Sequence, residues 1–553
     1  MADELKAGHL LIVGGGLRPD NAAVYDRLIQ YAGGKERARF GILPTASLST
    51  SDARQSKLIL VRMGVPEKQV HVIDITPANA ERQSYNPAIV ELIRSCTGFF
   101  IEGGDQTRVM RALRKVDGSE TPALTALREA WQGGAVVAGS SAGAAVQCDA
   151  MISVAGLPDD SIDEGMDALN FGLTTNRFHR GLFVSRGLAF FQAGIIDQHF
   201  SQYRGRLGRL ARVTTEKRIP FGFGIDENTA LDVAPDGSIE VVGAGTVTVV
   251  DSRNAQLEDG PLGCRLSGVR LSCLQAGDRF DSKTGQGTAR VGKKPMVRGK
   301  EQFNGNFLIP DISGPAAALN GIIEGLADNT ATKQVGITLR HNQHYAFGYR
   351  FTFHKTEQTQ SFEGYVDNLY SYTVLGVRLD IAPVLGTLDI PEKRLPKDLP
   401  KAGAMRTMLS AIYHRGILLT DEDGLFRPEA DMTRAELAGA IAQTLRLEPP
   451  RLGAPQVNDI SEDNPYADDI ALVVGAKLME LDRDGRFQPT KTVSRQEGAT
   501  ILMRLAERYR SEPLPADIVD LGDASQGDRL TRGMTAATIF KIIGFSWASK
   551  VAK

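Results

Sequence analysis

A serine held in a run of small residues is the first feature of this chain that can do chemistry. Gly139-Ser140-Ser141-Ala142-Gly143 follows directly on the apolar run 135–138 and opens an alanine-rich helical stretch. The spacing is G-x-S-x-G in strand–turn–helix context, as a nucleophile elbow requires. The turn is tight, so its flanking positions must be small. It holds the central hydroxyl out of the sheet at a helix start, where the following N–H groups can stabilise a developing oxyanion. Ser141 is therefore the candidate nucleophile. A capping serine in a glycine-rich turn, or a phosphate cradle, would use the same string. Ser140 sits off the centre of the motif, and Cys148 lies well inside the helix, where a thiol is ordinarily structural.

A hydroxyl nucleophile needs a base within hydrogen-bond reach, most often a histidine oriented by a carboxylate. The chain has 8 histidines. His9 and His71 sit at strand starts, and His341, His344, His354 and His414 lie in later regions. His179, between Arg177 and Arg180, reads as a surface residue. His199 stands in Ile195-Ile196-Asp197-Gln198-His199-Phe200, an apolar strand end running into polar residues, where the catalytic side chains of parallel sheets gather. For the carboxylate, Ile225-Asp226-Glu227-Asn228-Thr229-Ala230 offers Asp226 or Glu227. Spacing does not choose between them, and both also suit an ordinary turn.

The elements that must position these groups read as follows. Runs 9–13, 40–43, 71–74, 98–101 and 136–138 are continuous apolar strands, with helical patterns at 22–31, 52–63 and 121–131 between them. Such strands imply a mostly parallel sheet flanked by helices on both faces. Runs 230–233, 239–242 and 246–250, with a Pro-Asp-Gly turn at 235–237, predict an antiparallel edge. From about 255 the rhythm stops; 345–355 and 370–381 alternate as strands, and one helix is expected at 316–327. Pro383, Pro391, Pro396 and Pro400 lie among charges and give a linker composition. The division is thus 1–254 for the candidate catalytic unit, 255–385 for a β-rich accessory region, 386–401 for a linker and 402–553 for a helical repeat domain.

The repeat is visible directly. Asp423-Gly424-Leu425-Phe426-Arg427-Pro428 recurs as Asp484-Gly485-Arg486-Phe487-Gln488-Pro489, and Thr433-Arg434-Ala435-Glu436 as Ser494-Arg495-Gln496-Glu497, both 61 residues on. In each copy the Thr or Ser can cap a helix that carries Glu at its third position. Residues 515–545 read as a degenerate third copy with a helix at 531–541.

Composition narrows the class. Apolar residues make up 42% and charged residues 24% of 553, the profile of a folded globular chain. A net charge of −2 gives no field that would attract nucleic acid. No apolar run approaches the roughly 18–20 residues of a membrane span. None of the 4 cysteines forms a C-x-x-C pair and no metal-spaced cluster stands out, so no cofactor is expected. Cys264 and Cys273 lie where a hairpin would allow a disulfide in an oxidising compartment; two reduced thiols are the equal reading.

Phe100-Ile101-Glu102-Gly103-Gly104-Asp105-Gln106, residues 139–144, 196–200 and 224–230 together resemble the cyanophycinases, a branch of the serine peptidase family that also contains dipeptidase E. The resemblance spans residues 8–250. It implies a class I glutamine amidotransferase-like fold and a Ser141–His199–Glu227 triad, and it favours Glu227 over Asp226. It further implies an oxyanion hole at Gly103, Gly104 and the Ala142 N–H, with Gln106, Asp197 and Gln198 lining the cleft. The family's arginines after the histidine correspond to Arg204, Arg206 and Arg209, with Tyr203 as an extra residue in the spacing. Guanidinium forks suit a polyaspartate main chain. The implied substrate is cyanophycin, cut to β-aspartyl-arginine dipeptides without metal or cofactor by a homodimeric enzyme; an aspartyl dipeptidase of the same family and a catalytically inactive cell-surface binding protein are the competing readings.

The C-terminal repeat resembles the S-layer homology domain, which implies binding of cell-envelope polysaccharide through Arg434 and Arg495. A helical packing module is the competing reading. The implied location is secreted or cell-surface, with the leader absent from this sequence; a cytoplasmic enzyme is the second choice.

Overall fold

The computed structural model describes residues 7–551, except 154–163, 177–178, 306–307, 310–311, 313–317, 342–345, 367–368, 387–394, 446–456, 510–513, 515–516, 522–526 and single positions 261, 402, 415, 419, 422, 462 and 520. Arg177, Tyr345 and Pro391 fall outside the described residues.

Four-residue apolar strands with no polar side begin the chain. Leu10–Val13, Phe40–Leu43 and Gly98–Ile101 are buried at every position. They lie with Val136–Ser140 and Val70–Val72 as five parallel neighbours in one sheet. Leu11, Phe40, Ile42 and Phe100 pack with Tyr25, Leu28, Ala53 and Leu60 of the helices Ala22–Tyr31 and Ser51–Arg62. Leu10, Ile12, Phe99 and Ile101 take the other side, against Ile93 of Pro87–Arg94 and Leu124 and Leu127 of Pro122–Gln132. Burial on both faces is what parallel strands demand. Thr121 caps the last of these helices, its Oγ1 accepting from the Leu124 N–H at 3.4 Å.

The same sheet continues antiparallel through Thr229–Val233, Ile239–Gly243, Arg279–Asp281 and Gln286–Thr288. The first two are the expected edge. The third strand expected there, Val247–Asp251, belongs instead to a second sheet, paired with Phe221–Ile225. That sheet runs Ile195–Asp197, Phe221–Ile225, Val247–Asp251, Gly263–Leu274, Leu369–Gly386, Ala346–His354, Lys333–His341 and Leu308–Ile309. Val247, Val249 and Val250 are all buried, so this strand also needs cover on two faces, which an edge does not give.

Three further readings are altered or decided here. Residues 254 and 255 lie between strands of this one sheet, and a single buried cluster runs from Leu10 through Phe223 and Val269 to Ile381. Cys264 and Cys273 occupy one strand, not two arms of a hairpin. Nine extended residues span roughly 30 Å, so no bridge joins them, and both are buried free thiols. Pro383, placed in the linker by composition, is in the strand Leu369–Gly386 opposite Tyr349. It lies past Ile381, the last residue registered with Gly263–Leu274, where an edge tolerates the missing N–H.

Beyond 395 a separate buried cluster forms, including Leu409, Phe426, Leu437, Phe487, Leu502, Leu530 and Ile539. Its helices include Ala404–His414, Arg434–Leu445, Ala467–Gly475, Arg495–Tyr509 and Arg532–Val551. The 61-residue repeat holds to single hydrogen bonds. Asp398 accepts from the N–H groups of Phe426 and Arg427 at 2.9 and 2.5 Å, and Asp459 from Phe487 and Gln488 at 2.7 and 2.6 Å.

Candidate active site

Val136–Ser140 delivers Ser141 into a turn that few residues tolerate. Its φ of 55° and ψ of −114° lie in a sparsely populated region, and its N–H donates to the Val13 carbonyl at 3.1 Å. The flanking glycines are required on steric grounds. A Cβ on Gly139 would run into the Gly143 carbonyl, and one on Gly143 into the Ile101 carbonyl. The helix that follows, Ala142–Ala145, is fully buried.

His199 and Glu227 come from the other sheet. His199 follows Ile195–Asp197, which lies parallel to Phe221–Ile225. Glu227 lies in the link that carries the chain from Phe221–Ile225 into Thr229–Val233 of the first sheet. The Ser141 Oγ lies 2.8 Å from His199 Nε2, and His199 Nδ1 lies 2.7 Å from Glu227 Oε1. The carboxylate oxygen accepts from Nδ1–H, which leaves the Nε2 lone pair facing the serine hydroxyl. Burial lowers the His199 pKa below its ordinary 6.5 against the bond to Glu227, which raises it, and Arg206 lowers it further. The imidazole is thus neutral at pH 7 and able to take a proton.

The two carboxylates of 226–227 divide their work. Asp226 Oδ1 accepts from the Ser201 N–H and hydroxyl at 3.0 and 2.6 Å, and Oδ2 from the Thr246 N–H at 3.2 Å. It ties the segment after His199 to the second sheet. The Glu227 N–H donates to Gln202 Oε1 at 3.0 Å, which leaves its carboxylate for the imidazole.

A supporting element escaped the sequence reading. Gly14, Gly15 and Gly16 follow the first strand, and the Gly14 carbonyl accepts from the His199 N–H at 2.6 Å. A Cβ on Gly15 would lie inside the His199 ring, and one on Gly16 would sit 2.8 Å from Glu227 Oε2. The signal was the triple glycine at a strand end, where close backbone approach is the usual reason.

The residues named for an oxyanion site gather here too. A Cβ on Gly103 would sit 3.4 Å from Ser141 Cβ and 3.8 Å from its Oγ. Gly104 has a φ of 137°, a conformation reserved for glycine. Ala142 is buried directly after the serine.

The residues named for the cleft spread out. Asp197 is fully buried; Arg209 Nε donates to its Oδ2 at 2.8 Å and Arg209 Nη2 to its Oδ1, while Arg206 Nη1 reaches the same Oδ1 at 3.2 Å. The Gln198 carbonyl accepts from Arg206 Nη1. Gln106 is buried and donates to the Ile152 carbonyl at 2.9 Å. Arg209 and Asp197 thus form a buried pair beneath the His199 loop, since a buried carboxylate needs paired donors, while the part-buried Arg206 joins that pair to Tyr203 beside His199. Arg204 is exposed. Tyr203 is 55% exposed, its ring 5.2 Å from that of His199 and 4.8 Å from the Arg206 guanidinium.

Of the alternatives, Cys148 is fully buried with its thiol pushed up to about 12 by burial, and His179 contacts Asn176. Among the described residues no group of three or more His, Cys, Asp or Glu side chains could hold a metal ion.

In the repeat unit Arg434 and Arg495 face inward. Arg434, whose side chain is 11% exposed, pairs with Glu497 of the next copy and lies 4.7 Å from the Phe487 ring. Arg495 Nη1 donates to the Leu521 carbonyl at 3.2 Å. Arg532 pairs in turn with Glu436, so the arginines link successive copies in a ring.

A strained serine, a neutral imidazole and a carboxylate on a two-sheet α/β frame define a serine hydrolase. Comparison with known proteins places it more closely. Residues 10–241 match the model for peptidase family S51, and 397–438 and 458–499 match that for the S-layer homology domain. The chain is 32% identical over 266 residues to a cyanophycinase of Synechococcus elongatus, covering 46% of this chain and 73% of the relative. It is 31% identical over 254 residues to a Nostoc cyanophycinase, covering 45% and 76%, and 30% over 302 residues to one from Geminocystis herdmanii, covering 53% and 99%. The chain belongs to peptidase family S51 and is a serine peptidase of the cyanophycinase type.

Proposed function

We propose that this chain is an exported cyanophycinase, held at the cell envelope by its C-terminal repeats. The hydrogen-bonded line from Ser141 through His199 to Glu227 carries the reading, and it lies within residues 10–241, which match peptidase family S51. His199 takes the Ser141 proton as Oγ attacks the backbone carbonyl of cyanophycin. The N–H groups of the Gly103–Gly104 turn and Ala142 hold the oxyanion. His199 then gives that proton to the leaving amine, and an acyl ester on Ser141 remains. Water hydrolyses the ester by the same proton path, releasing β-aspartyl-arginine dipeptides.

On this reading the catalytic unit around Ser141 shares its core with the β-rich residues up to Ile381, and 402–553 is the envelope-binding unit, in a homodimer. Two S-layer homology matches support envelope attachment. The test is incubation of the protein with purified cyanophycin and with aspartyl dipeptides. Cyanophycin is expected to be cleaved; turnover of the dipeptides alone would make the chain a dipeptidase instead. Ser141→Ala should lower kcat by roughly 10⁴–10⁶-fold while substrate binding persists. Turnover left intact in that variant would remove Ser141 from the mechanism.

A further inference from the structure

The accessory region carries a feature the catalytic site does not use. Tyr365, Tyr370 and Tyr372 lie on the antiparallel pair Gln360–Val366 and Leu369–Gly386. Tyr365 stands opposite Tyr370 and Glu363 opposite Tyr372, so all four side chains share one face. The rings form a ladder, with centroids 5.0 and 5.3 Å apart and planes at 77° and 76°. Tyr365 is 74% and Tyr370 42% exposed, and Tyr372 joins the ladder to the core. Tyr365 and Tyr370, left in water on one sheet face, stabilise little by burial, so the fold alone does not account for them.

The charges around the ladder set its preference. The Tyr370 hydroxyl donates to Glu363 Oε2 at 2.5 Å. Asp328 is 98% buried, with one oxygen accepting from the Gln302 N–H at 2.9 Å and the other, Oδ2, buried without a partner. Glu363 and Asp328 raise the phenol pKa of both Tyr370 and Tyr372, with Glu363 the largest cause for the first and burial for the second. Glu324 adds to the effect on Tyr372. Lys294 stands opposite Glu363, and the buried Lys293, paired with Asp278, donates to the Tyr372 carbonyl at 3.0 Å. The face therefore sets the Glu363 carboxylate beside exposed rings, the combination that holds a guanidinium by stacking and pairing together. Rings set nearly at right angles offer no continuous flat platform for a sugar chain, whereas separate guanidinium groups can use each ring in turn.

We propose that the Tyr365–Tyr370–Tyr372 face is a second binding site, distinct from Ser141, for the arginine side chains of an arginyl polymer. This rests on cyanophycin being the substrate. Many weak arginine contacts would hold an insoluble polymer through avidity while the catalytic site engages one chain at a time.

The test uses the full chain carrying Ser141→Ala, which cannot cut what it binds. It is sedimented with cyanophycin granules, with insoluble polyaspartate lacking arginine, and with purified cell-wall polysaccharide. Adding Tyr365→Ala and Tyr370→Ala should weaken granule binding by about tenfold, and Tyr365→Phe with Tyr370→Phe should retain it, because the avidity comes from the rings. In the active enzyme the same alanine pair should leave kcat/KM on soluble arginyl-aspartate fragments unchanged. Granule binding unaffected by the alanine pair would overturn the proposal, as would an equal loss on arginine-free polyaspartate. A loss seen only with wall polysaccharide would make the face a glycan site. Failure of the intact enzyme to cleave any arginyl polymer would instead sink the catalytic reading, a separate measurement on separate material.

Discussion

At the scale of single residues, the site depends on keeping His199 neutral and aimed. Its pKa is lowered from 6.5 mainly by burial. The base form is lost only as pH falls through that lowered value. We therefore expect kcat/KM to rise with pH through an ionisation below 6.5 and to stay level from there to neutrality. A pH–rate profile on a soluble substrate checks this; an acid limb centred above 7 would mean a different base. Glu227→Gln keeps the shape of the side chain but removes its charge and its fixed acceptor. A loss in kcat of roughly 10²–10⁴-fold is expected, with little change in KM. Both groups were legible in the sequence because each sits in a short string with a local reason. The choice between Asp226 and Glu227 came from the family resemblance and not from spacing. It depends on Ser201, Gln202 and Thr246 claiming the first residue's oxygens and the second's N–H, and those partners come from other segments. The ion pairs of Arg206 and Arg209 were not legible for a similar reason: a basic cluster in a sequence looks the same whether or not it meets a buried Asp197.

Elements carry the next constraint, since the serine stands on one sheet and its base and carboxylate on the other's connections. The Gly14–Gly16 turn joins them. Its carbonyls meet the N–H groups of His199 and Asn228 at 2.6 and 2.8 Å, and its missing side chains leave room for the imidazole. Gly15, at a φ of 108°, is the sensitive position. Gly15→Ala would drive a methyl into the His199 ring, so the ring must move from Ser141. We expect a loss in kcat on the order of 10²-fold with far-UV circular dichroism unchanged. A variant as active as the native chain would show that the two sheets adjust independently. The parallel strands 10–13, 40–43 and 98–101 were readable because burial on both faces leaves an unbroken apolar run. Sheet membership was not: residues 247–251 have the same local pattern as 239–243. Only pairing with 221–225, and the chain's passage between sheets at 226–228, separates them.

For the whole molecule, the C-terminal unit shows what repeats hide as well as reveal. Two copies are plain at an offset of 61, yet the third begins at Thr531-Arg532-Gly533-Met534, 37 residues after Ser494, and lacks the glutamate of the signature. Geometry recovers it. Asp431 bridges Thr531, Thr433 bridges Thr492 and Ser494 bridges Arg529, so each signature touches the next around a closed ring. Arg532 closes it, pairing with Glu436 and with Asp421 and lying 5.5 Å from the Phe426 ring, with a side chain only 5% exposed. Arg532→Ala would leave Glu436 without its guanidinium at a largely dry site, a change that costs about 3 kcal/mol when a buried pair is broken. The buried cluster around Phe426 and Phe487 is separate from the one under Ser141. The links between the two units include the Phe171–Tyr509 ring contact at 5.2 Å and the bond from Arg180 Nε to the Leu445 carbonyl. Differential scanning calorimetry should therefore show two transitions, with only one lowered by Arg532→Ala, while cleavage of a soluble substrate keeps its native rate. If both transitions fell together, those few links would be enough to make the peptidase and its repeat unit fold as one.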